Sequence, residues 1–374
     1  MKLLITSVGS LLGQNVLDSI ESRRDFIDVI GINTIAKNPR NFRCDKVYKV
    51  KETSDRDFKQ EFLNIIDKEN PDLILPGRDE DCVFLTELKE IFPDRLKSIV
   101  PFGGSNIPKI MLDKYDTYQF CSNNHLPFAE TFYLNNSDGD NLSGLSNFVK
   151  RCGFPIVAKP RTGFGSQGVY FILDQEQLDK SATKSDIILQ EYLGNPLDIL
   201  KYKETFKVGI PLFFQIPEPK QYASQSVIYP NGKLSEIFFT VNTLVLGRNE
   251  YIEHIHDIDV EKVTKQYAKI LYENGWCGPL NIQMKQDQKG QWKAFELSPR
   301  QTGSTSGRLQ LGYDEFGILC DAFIPEQKIP NLTKKQKIKG QVFKYLQDNI
   351  VLESDVTDLE SKKVWKKPKS KSDT

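Results

Sequence analysis

The sequence is poor in the residues that hold most zinc sites and disulfide frameworks. It contains three histidines and six cysteines in 374 residues, and no two cysteines form a C-x-x-C pair. This scarcity argues against a structural zinc ion and against a set of disulfides. We therefore expect reduced thiols and a cytoplasmic protein.

The sequence also lacks an excess of charge of either sign and any long apolar run. Lys plus Arg and Asp plus Glu are both 50, so nothing global indicates nucleic acid or an acidic membrane surface. No run of 18 apolar residues occurs, and the apolar stretch within residues 1–9 is too short for a signal peptide. No internal repeat is visible. We expect a soluble protein without nucleic-acid or membrane partners.

The first hundred residues alternate between buried-strand and helical patterns, in a chain long enough for two or three domains. The strand-like runs are residues 2–8, 28–33, 71–77 and 98–102. This alternation predicts a parallel sheet covered by helices on both faces. The runs are followed by Gly9, Asn33, Gly77 to Asp79, and Gly103 with Gly104. Ligands bind at such strand ends in open α/β sheets.

Gly9 and Gly13 follow the first strand and open a helix, which raises the alternative of a dinucleotide site. Their spacing is G-x-x-x-G rather than G-x-G-x-x-G, and Asn33 stands where an acidic residue would end the second strand. We favour a tight strand-to-helix turn.

The rest of the chain reads as helices and antiparallel strands. Residues 159–168 are glycine-rich and join two strands of a predicted hairpin, so we interpret them as a loop over a ligand. The predicted strands are 130–134, 154–160, 169–173, 187–193, 223–229, 234–240, 279–285, 292–297 and 339–345; the predicted helices are 108–124 and 260–274. Residues 199–220 look irregular because of three prolines.

Gln283 and Glu296 fall at neighbouring positions on one face of the last long hairpin, by strand alternation. An amide oxygen and a carboxylate suit magnesium. Arg300, four residues further on, can clamp a phosphoryl oxygen. With the glycine-rich loop, these residues favour a site for the triphosphate of ATP. The alternative is a buried strand that ends in a proline turn with a structural arginine.

These motifs, in this order, resemble the ATP-grasp superfamily, and in particular one ATP-binding half of the carbamoyl phosphate synthetase large chain. The resemblance runs from Met1 to about Tyr345. It is carried by residues 2–9, 113–114, 159–168, 190–193, 278–283 and 295–304. It implies a mixed α/β (α+β) protein: a Rossmann-like parallel-sheet domain (1–107), a two-lobed ATP-grasp domain (108–345) and a C-terminal tail (346–374). The small lobe is 108–193 and the large lobe 194–345.

The resemblance also implies roles for individual residues. It assigns the nucleotide to Lys114, Lys159, Gly163, Gly165, Ser166, Gly168, Gln190, Glu191, Tyr192 and Leu193, the metal to Gln283, Glu296 and Ser298, and catalysis to Arg300 and Arg308. The two lysines would contact phosphates, the loop would close over them, and the main chain at Glu191 and Leu193 would bind adenine. Ser298 stands where the family has an asparagine. The ribose contact stays open between Asp198 and Glu218.

The implied function is an ATP-dependent carboxylate-amine ligase that uses Mg²⁺, with Mn²⁺ as an alternative, and works through an acyl phosphate. Its partners would be a small carboxylate and an amine, and a homodimer is compatible with such folds. Arg248, His254 and His256 are candidates to receive the carboxylate, although both histidines also read as exposed loop residues. The alternatives are a nucleotide-binding regulatory protein with a weakened site and a small-molecule kinase.

The basic segment 365–371 allows two interpretations. It reads either as a partner-binding tail or as a frayed, solvated terminus, and we favour the second.

Overall fold

The structure is a computed structural model that describes residues 1–97, 99–134, 141–163, 165–181, 186–209, 219–245, 248–326, 329–334, 336–345 and 350–368. The side chains of residues 141, 142, 202, 205–208 and 248 fall outside this description.

The first part of the chain forms alternating strands and helices around a parallel sheet. Its elements are β1 (Lys2–Ile5), α1 (Leu11–Ile20), β2 (Asp28–Asn33), β3 (Lys46–Lys49), α2 (Phe58–Glu69), β4 (Leu73–Leu75), α3 (Asp79–Ile91) and α4 (Pro93–Leu96). The strands are parallel in the order β3-β2-β1-β4. All of Leu73–Leu75 is buried, as expected for a strand covered on both faces. The predicted Rossmann-like sheet is confirmed.

One strand predicted for this sheet is wrong. Residues 99–102 form a turn and an irregular segment, although the Ile74 amide donates to the Ile99 carbonyl at 2.8 Å. Pro101 has no amide hydrogen to continue such a ladder, which explains why the apolar run does not become a strand.

The middle of the chain forms a small antiparallel sheet with helices. Its elements are α5 (Asn106–Leu112), α6 (Lys114–Asn123), β5 (Thr131–Leu134), α7 (Asn141–Cys152), β6 (Ile156–Pro160), β7 (Tyr170–Ile172), α8 (Gln175–Ser181) and β8 (Ile187–Glu191). The strand order is β5-β8-β6-β7. A separate apolar cluster that includes Phe148, Ile156 and Leu189 lies against this sheet. The small sheet therefore holds the glycine-rich loop on a core of its own.

A larger antiparallel sheet follows. Its elements are α9 (Pro196–Val208), β9 (Lys220–Ile228), β10 (Phe238–Val245), β11 (Arg248–Ile255), α10 (Ile258–Glu273), β12 (Gly278–Gln286), β13 (Trp292–Ser298), α11 (Thr305–Gln310), α12 (Glu315–Phe323) and β14 (Gln341–Phe343). The order is β13-β12-β9-β10-β11-β14. One apolar core packs this sheet against the first sheet, with Trp276, Tyr313 and Phe316 among its fully buried side chains. Burial of each such side chain contributes roughly 1.5–3 kcal/mol.

The prediction that residues 199–220 are irregular is wrong for their first half. Helix α9 reaches Val208, and it begins with Pro196 in its first turn and the Asn195 side chain accepting from the Leu197 amide at 3.1 Å. Pro is favoured at a helix start and Asn at the cap. The three prolines that suggested a loop all come after the helix.

The C-terminal segment was expected to be frayed and solvated, and the described part of it is ordered secondary structure. It contains α13 (Glu353–Lys362) and β15 (Val364–Lys366). Strand β15 pairs antiparallel with β3, so that Trp365 faces Val47 in the register. Leu359 and Trp365 are buried, and Trp365 makes an edge contact with Phe42 at 5.1 Å between ring centroids. The apolar side chains of this segment stabilise its docking on the first sheet.

Among the described residues, no helix is both long enough and apolar enough to cross a bilayer.

Candidate nucleotide and metal site

A cleft lies between the small sheet and the large sheet and reaches the first turn of α1. Twelve of the residues proposed from the sequence line it: Lys114, Lys159, Gly163, Gly165, Ser166, Gln190, Glu191, Tyr192, Leu193, Gln283, Glu296 and Arg300. Gly168, Ser298 and Arg308 do not line it. These residues lie up to almost 190 positions apart in the chain, on α6, β6, β8, β12 and β13 and on the segments that follow β6, β8 and β13.

Gln283 and Glu296 are directly opposite each other on β12 and β13. Both side chains line the cleft, as strand alternation predicted. The Glu296 carboxylate makes no hydrogen bond or ion pair with any residue that the structure describes. An ionised carboxylate without a protein partner, beside an amide oxygen, is suited to bind a hard cation.

Lys159, on β6 of the small sheet, lines the same cleft as Gln283 and Glu296. It is only 4% exposed, and its Nζ donates to the carbonyl oxygen of Phe295 at 3.2 Å. Burial lowers the pKa of Lys159 to about 8; the negative charge of Glu296 opposes this shift and the positive charge of Lys114 adds to it. Because a buried ammonium group has lost most of its hydration, an anionic ligand bound beside it would stabilise its charge.

The glycine-rich loop is anchored at its base by Arg161, a residue that sequence reasoning missed. Arg161 Nε donates to Asp113 at 2.7 Å and Nη2 to Asp116 at 3.1 Å. Its guanidinium lies 4.6 Å from the centroid of the Tyr133 ring. The Asp113 hydrogen bond is the main cause of a raised pKa of Arg161. Arg161 therefore stays positively charged and ties the base of the loop to α6.

Asp113 also explains why the helix predicted over 108–124 is two helices. It is the N-cap of α6, and its carboxylate accepts from the Tyr115 and Asp116 amides at 2.8 and 3.1 Å. Because a new helix begins at Lys114, this side chain reaches the loop, where its Nζ donates to the Gly163 carbonyl at 3.0 Å. Gly163 has a φ of 125°, which favours glycine.

The polar side chains at the end of β8 are held by other protein groups. The Glu191 carboxylate is bound by Lys293 Nζ at 3.0 and 3.1 Å, and Gln190 donates to Thr131 at 3.0 Å. Nearby cleft walls are apolar, with Val157, Phe171 and Leu193. The Glu191 amide donates to the Glu130 carbonyl at 2.8 Å, so this end of the strand is held in place beside the slot. An apolar slot of this kind suits a flat heteroaromatic ring.

Arg300 is held in the cleft from the first sheet. Its Nη2 donates to Asp79 at 2.6 Å, and Asp79 is the first residue of α3, directly beyond β4. The pKa of Arg300 is raised, since the Asp79 and Glu296 charges outweigh burial. Its Nε has no partner among the described groups. Sequence reasoning did not identify Asp79 as the partner.

Arg308 and Ser298 lie beneath the cleft wall. Arg308 is fully buried and pairs with Glu315 at 2.9 Å. Ser298 is 2% exposed and lies opposite Asn281, which does line the cleft. Asn281 is therefore a cleft residue that the sequence analysis did not assign.

Of the other substrate and ribose candidates, His254, His256 and Asp198 do not line the cleft. His254 stacks on Phe238 at 4.2 Å between centroids, and burial lowers its pKa. His256 is exposed, 3.4 Å from Glu261. Asp198 is 3.7 Å from Lys201 on α9. The side chain of Arg248, like Glu218, is outside the described residues.

Gly13 supports the structural interpretation of the first turn. A Cβ at this position would meet the Val8 carbonyl oxygen at 2.6 Å, so the helix can approach the strand only with glycine there. Leu11 and Leu12, in the same turn, line the end of the cleft nearest the first sheet.

The residues fit a magnesium ion that is bound together with phosphates. No group of three or more His, Cys, Asp or Glu side chains among the described residues has the geometry to hold a metal. The cleft instead offers the Glu296 carboxylate and the amides of Gln283 and Asn281, while the Glu191 carboxylate is bound by Lys293. Magnesium usually takes one or two protein carboxylates and completes its octahedron with water and substrate phosphate oxygens.

Comparison with solved structures identifies the fold. The chain is similar to N5-carboxyaminoimidazole synthetase from Staphylococcus aureus complexed with ADP (TM-score 0.65, 15% identity, 88% of this chain and 78% of that chain). It is also similar to an L-amino acid ligase from Bacillus licheniformis (0.60, 13%, 86% and 74%). A third similar structure is the biotin carboxylase domain of Hydrogenobacter thermophilus 2-oxoglutarate carboxylase (0.61, 12%, 91% and 73%).

No model of a known protein family matches the sequence, and a search of curated proteins finds no match. The three similar structures are ATP-grasp enzymes. The chain has the ATP-grasp fold, with a parallel-sheet region followed by antiparallel sheets, and the resemblance seen in the sequence is confirmed at the level of fold.

Proposed function

We propose that the protein is an ATP-dependent carboxylate-amine ligase that works through an acyl phosphate and releases ADP and phosphate. The observation that carries the proposal is the unpaired Glu296 carboxylate beside Gln283, facing the buried cation of Lys159 in one cleft. Separated positive and negative groups of this kind suit a metal-bound polyphosphate. The solved structures with the same fold include enzymes whose names describe C–N bond formation.

In the proposed reaction, the cleft binds ATP with its base in the apolar slot near Leu193 and its phosphates under the glycine-rich loop. Gln283 and Glu296 would hold Mg²⁺, which supplies charge neutralisation at the phosphates. Lys159 neutralises phosphate oxygens from the other side, and the backbone amides of the loop add hydrogen bonds. The protein mainly positions and neutralises, so no covalent nucleophile is needed.

The chemistry then has two steps. A carboxylate oxygen of the first substrate attacks the γ-phosphorus, and the bond to the β-phosphate oxygen breaks to release ADP. The amine nitrogen attacks the acyl carbon, phosphate leaves, and the nitrogen gives up a proton. Arg300, which lines the cleft together with Gln283 and Glu296, would stabilise the oxyanion that forms in the second step.

The substrates would enter from the end of the cleft near the first sheet. This end is formed by the first turn of α1 and by the segment Thr302–Ser304. We further propose that residues 1–107 act as the substrate-side domain, that 108–193 and 194–345 act as the two nucleotide-binding lobes, and that Gly168 supports the loop without touching ATP.

Phosphate release from MgATP tests the proposal, measured across pooled amino acids and small carboxylates. We expect substrate-dependent release of ADP and phosphate, together with an amide product by mass spectrometry. Glu296→Ala should lower turnover by about a hundredfold or more, because several kcal/mol of charge stabilisation is lost. Glu273→Ala, an exposed glutamate at the end of α10, is the matched control and should retain turnover.

Two outcomes would contradict the proposal. A phosphorylated product without free phosphate would identify a kinase on the same fold. Tight ATP binding without turnover in any pool would favour a nucleotide-binding regulatory protein.

A further inference from the structure

A chain of buried polar side chains runs beneath the cleft floor. Arg308 Nη2 donates to Glu315 Oε2 at 2.9 Å, and Gln225 Nε2 donates to Glu315 Oε1 at 2.7 Å. Asn281 Nδ2 donates to Gln225 Oε1 at 2.9 Å. All four residues are at least 98% buried, so each unmet hydrogen bond along the chain would be costly.

The Glu315 carboxylate determines which group of each amide is the donor and which is the acceptor. Both oxygens of Glu315 accept hydrogen bonds, since Oε2 also accepts from Thr305 at 3.0 Å. An ionised carboxylate has no hydrogen to donate, so Gln225 must present its NH₂ group to it. The amide oxygen of Gln225 is then left for Asn281, which must present its own NH₂ group in turn.

Asn281 therefore has its oxygen left over. Its NH₂ group donates both to Gln225 Oε1 and to the Ser224 carbonyl, at 2.9 and 3.5 Å. No described residue donates to Asn281 Oδ1, and Asn281 lines the cleft. The relay beneath the floor thus turns an amide oxygen toward the site.

Asn281 lies on the same face of β12 as Gln283. Two residues along a strand are about 6.6 Å apart and point to the same side. Asn281, Gln283 and Lys285 all line the cleft, in keeping with this alternation. Across the strand pair, Gln283 faces Glu296 and Asn281 faces Ser298. Ser298 does not line the cleft. At this position of the strand pair, the side-chain oxygen next to Gln283 and Glu296 is therefore Asn281 Oδ1.

We infer that Asn281 Oδ1 is a further oxygen ligand of the divalent cation in this cleft, and that Gln225, Glu315 and Arg308 are positioning residues that hold it toward the metal. This inference rests on the proposed function, because the cation is expected to bind with nucleotide phosphates. It gives the buried Arg308 a role through Asn281 instead of through direct contact with a reacting group.

Binding of Mn²⁺ in the presence of ADP tests the inference without turnover, by electron paramagnetic resonance of free Mn²⁺. Asn281→Ala should weaken Mn²⁺ binding by about tenfold or more, whereas Ser298→Ala should leave the affinity within about twofold of the unchanged protein. Asn64→Ala, an exposed asparagine on α2, controls for the loss of an amide elsewhere. Equal affinities for Asn281→Ala and the unchanged protein, or a larger loss in Ser298→Ala, would overturn the inference.

A second variant, Gln225→Met, tests whether Gln225 positions Asn281. Gln225→Met keeps a similar volume but removes the acceptor that fixes Asn281, so Mn²⁺ binding should weaken by about tenfold while ADP affinity without metal is retained. Thermal unfolding checks that the variant is folded. Unchanged Mn²⁺ affinity in folded Gln225→Met would overturn the relay. If the unchanged protein with ADP binds no Mn²⁺, the proposed function fails as well; if it binds and the variants match it, only this inference fails.

Discussion

Lys159 carries a positive charge at a place that water hardly reaches. Its ammonium group is met by one carbonyl oxygen, and the charges that act on it are Glu296 on β13 and Lys114 on α6. Burial dominates, so the pKa of Lys159 falls to about 8. In the protein without nucleotide, a sizeable fraction of Lys159 is therefore neutral above pH 8.

Nucleotide binding should take up a proton at alkaline pH. Phosphate charges favour the ammonium form and raise the pKa of Lys159, so binding at pH 8.5 should draw up to about one proton, and almost none at pH 6.5. Because protons are taken up, the affinity for ADP should fall as the pH rises through 8. Calorimetric titration in buffers with different ionisation enthalpies measures this uptake.

Lys159→Arg is the control for this prediction. The guanidinium stays charged throughout the range, so proton uptake should disappear and the affinity should become independent of pH between 7 and 9. Equal uptake in both proteins would assign the proton to another group, and Lys344, whose pKa burial also lowers to about 8, would be the next to test.

Single residues were predictable from the sequence where a local pattern placed them. Gln283 and Glu296 followed from alternation along two strands, and Lys159 from the loop that begins at its strand. Arg161, Asp79 and Asn281 were not predictable, because their roles depend on partners far away in the chain, such as Asp113 or Gln225. Propensity and periodicity describe neighbours in sequence and say little about such contacts.

The glycine-rich loop depends on the element that precedes it. Strand β6 ends at Pro160, and Arg161 then ties the loop base to the start of α6 through Asp113 and Asp116. The amide of Lys114 also donates to the Arg161 carbonyl at 2.9 Å. The loop and Lys114 are thus positioned as one unit.

Arg161→Lys should loosen this unit while keeping the charge. Lysine cannot reproduce the forked hydrogen bonds or stack flat on Tyr133, and a loss of about 1–2 kcal/mol of ordering corresponds to roughly a 5- to 30-fold rise in the KM for ATP. Steady-state kinetics with the substrates found in the pooled phosphate-release assay measure the change. Arg151→Lys, which alters an exposed pair with Glu130, should leave the KM unchanged. A similar KM in both variants would contradict the anchoring role.

Whole elements were predictable when their pattern was long or was bounded by turns. Strands β12 and β13 and helix α10 lie close to their predicted bounds. Helix α9 was hidden by the prolines that follow it. The apolar run at 98–102 suggested a strand that residues 99–102 do not form, because Pro101 cannot donate to a strand ladder. In the same way, β15 was hidden by its lysines, because only the pairing with β3 reveals it as a strand.

At the scale of the whole molecule, the helices next to the first sheet contact the candidate nucleotide cleft through Leu11, Leu12 and the ion pair between Asp79 and Arg300. Asp79 holds Arg300 from the end of β4, and the Cys82 thiol contacts the Pro299 carbonyl at 3.8 Å. The proposed substrate end and the proposed phosphate end of the cleft are therefore linked by a short, charge-assisted bond.

Asp79→Asn should uncouple the two ends. The amide keeps the shape but loses the charge that holds the guanidinium, so kcat should fall by about tenfold with little change in ADP affinity. Glu80→Gln, the neighbouring carboxylate in the same helical turn, is the matched control and should keep full turnover. Parallel losses in both variants would indicate a general effect of charge instead of a specific role of Asp79.

The pairing of β15 with β3 has a consequence for the order in which the protein assembles. The two strands are separated by more than 300 residues, so β3 emerges from the ribosome long before β15 has been made. Until then, the backbone groups on one side of β3 stay open to other chains, a recognised cause of aggregation during synthesis. Both antiparallel sheets lie between these two strands in the chain. The first sheet can therefore be completed only after the segments that form the two antiparallel sheets have been made.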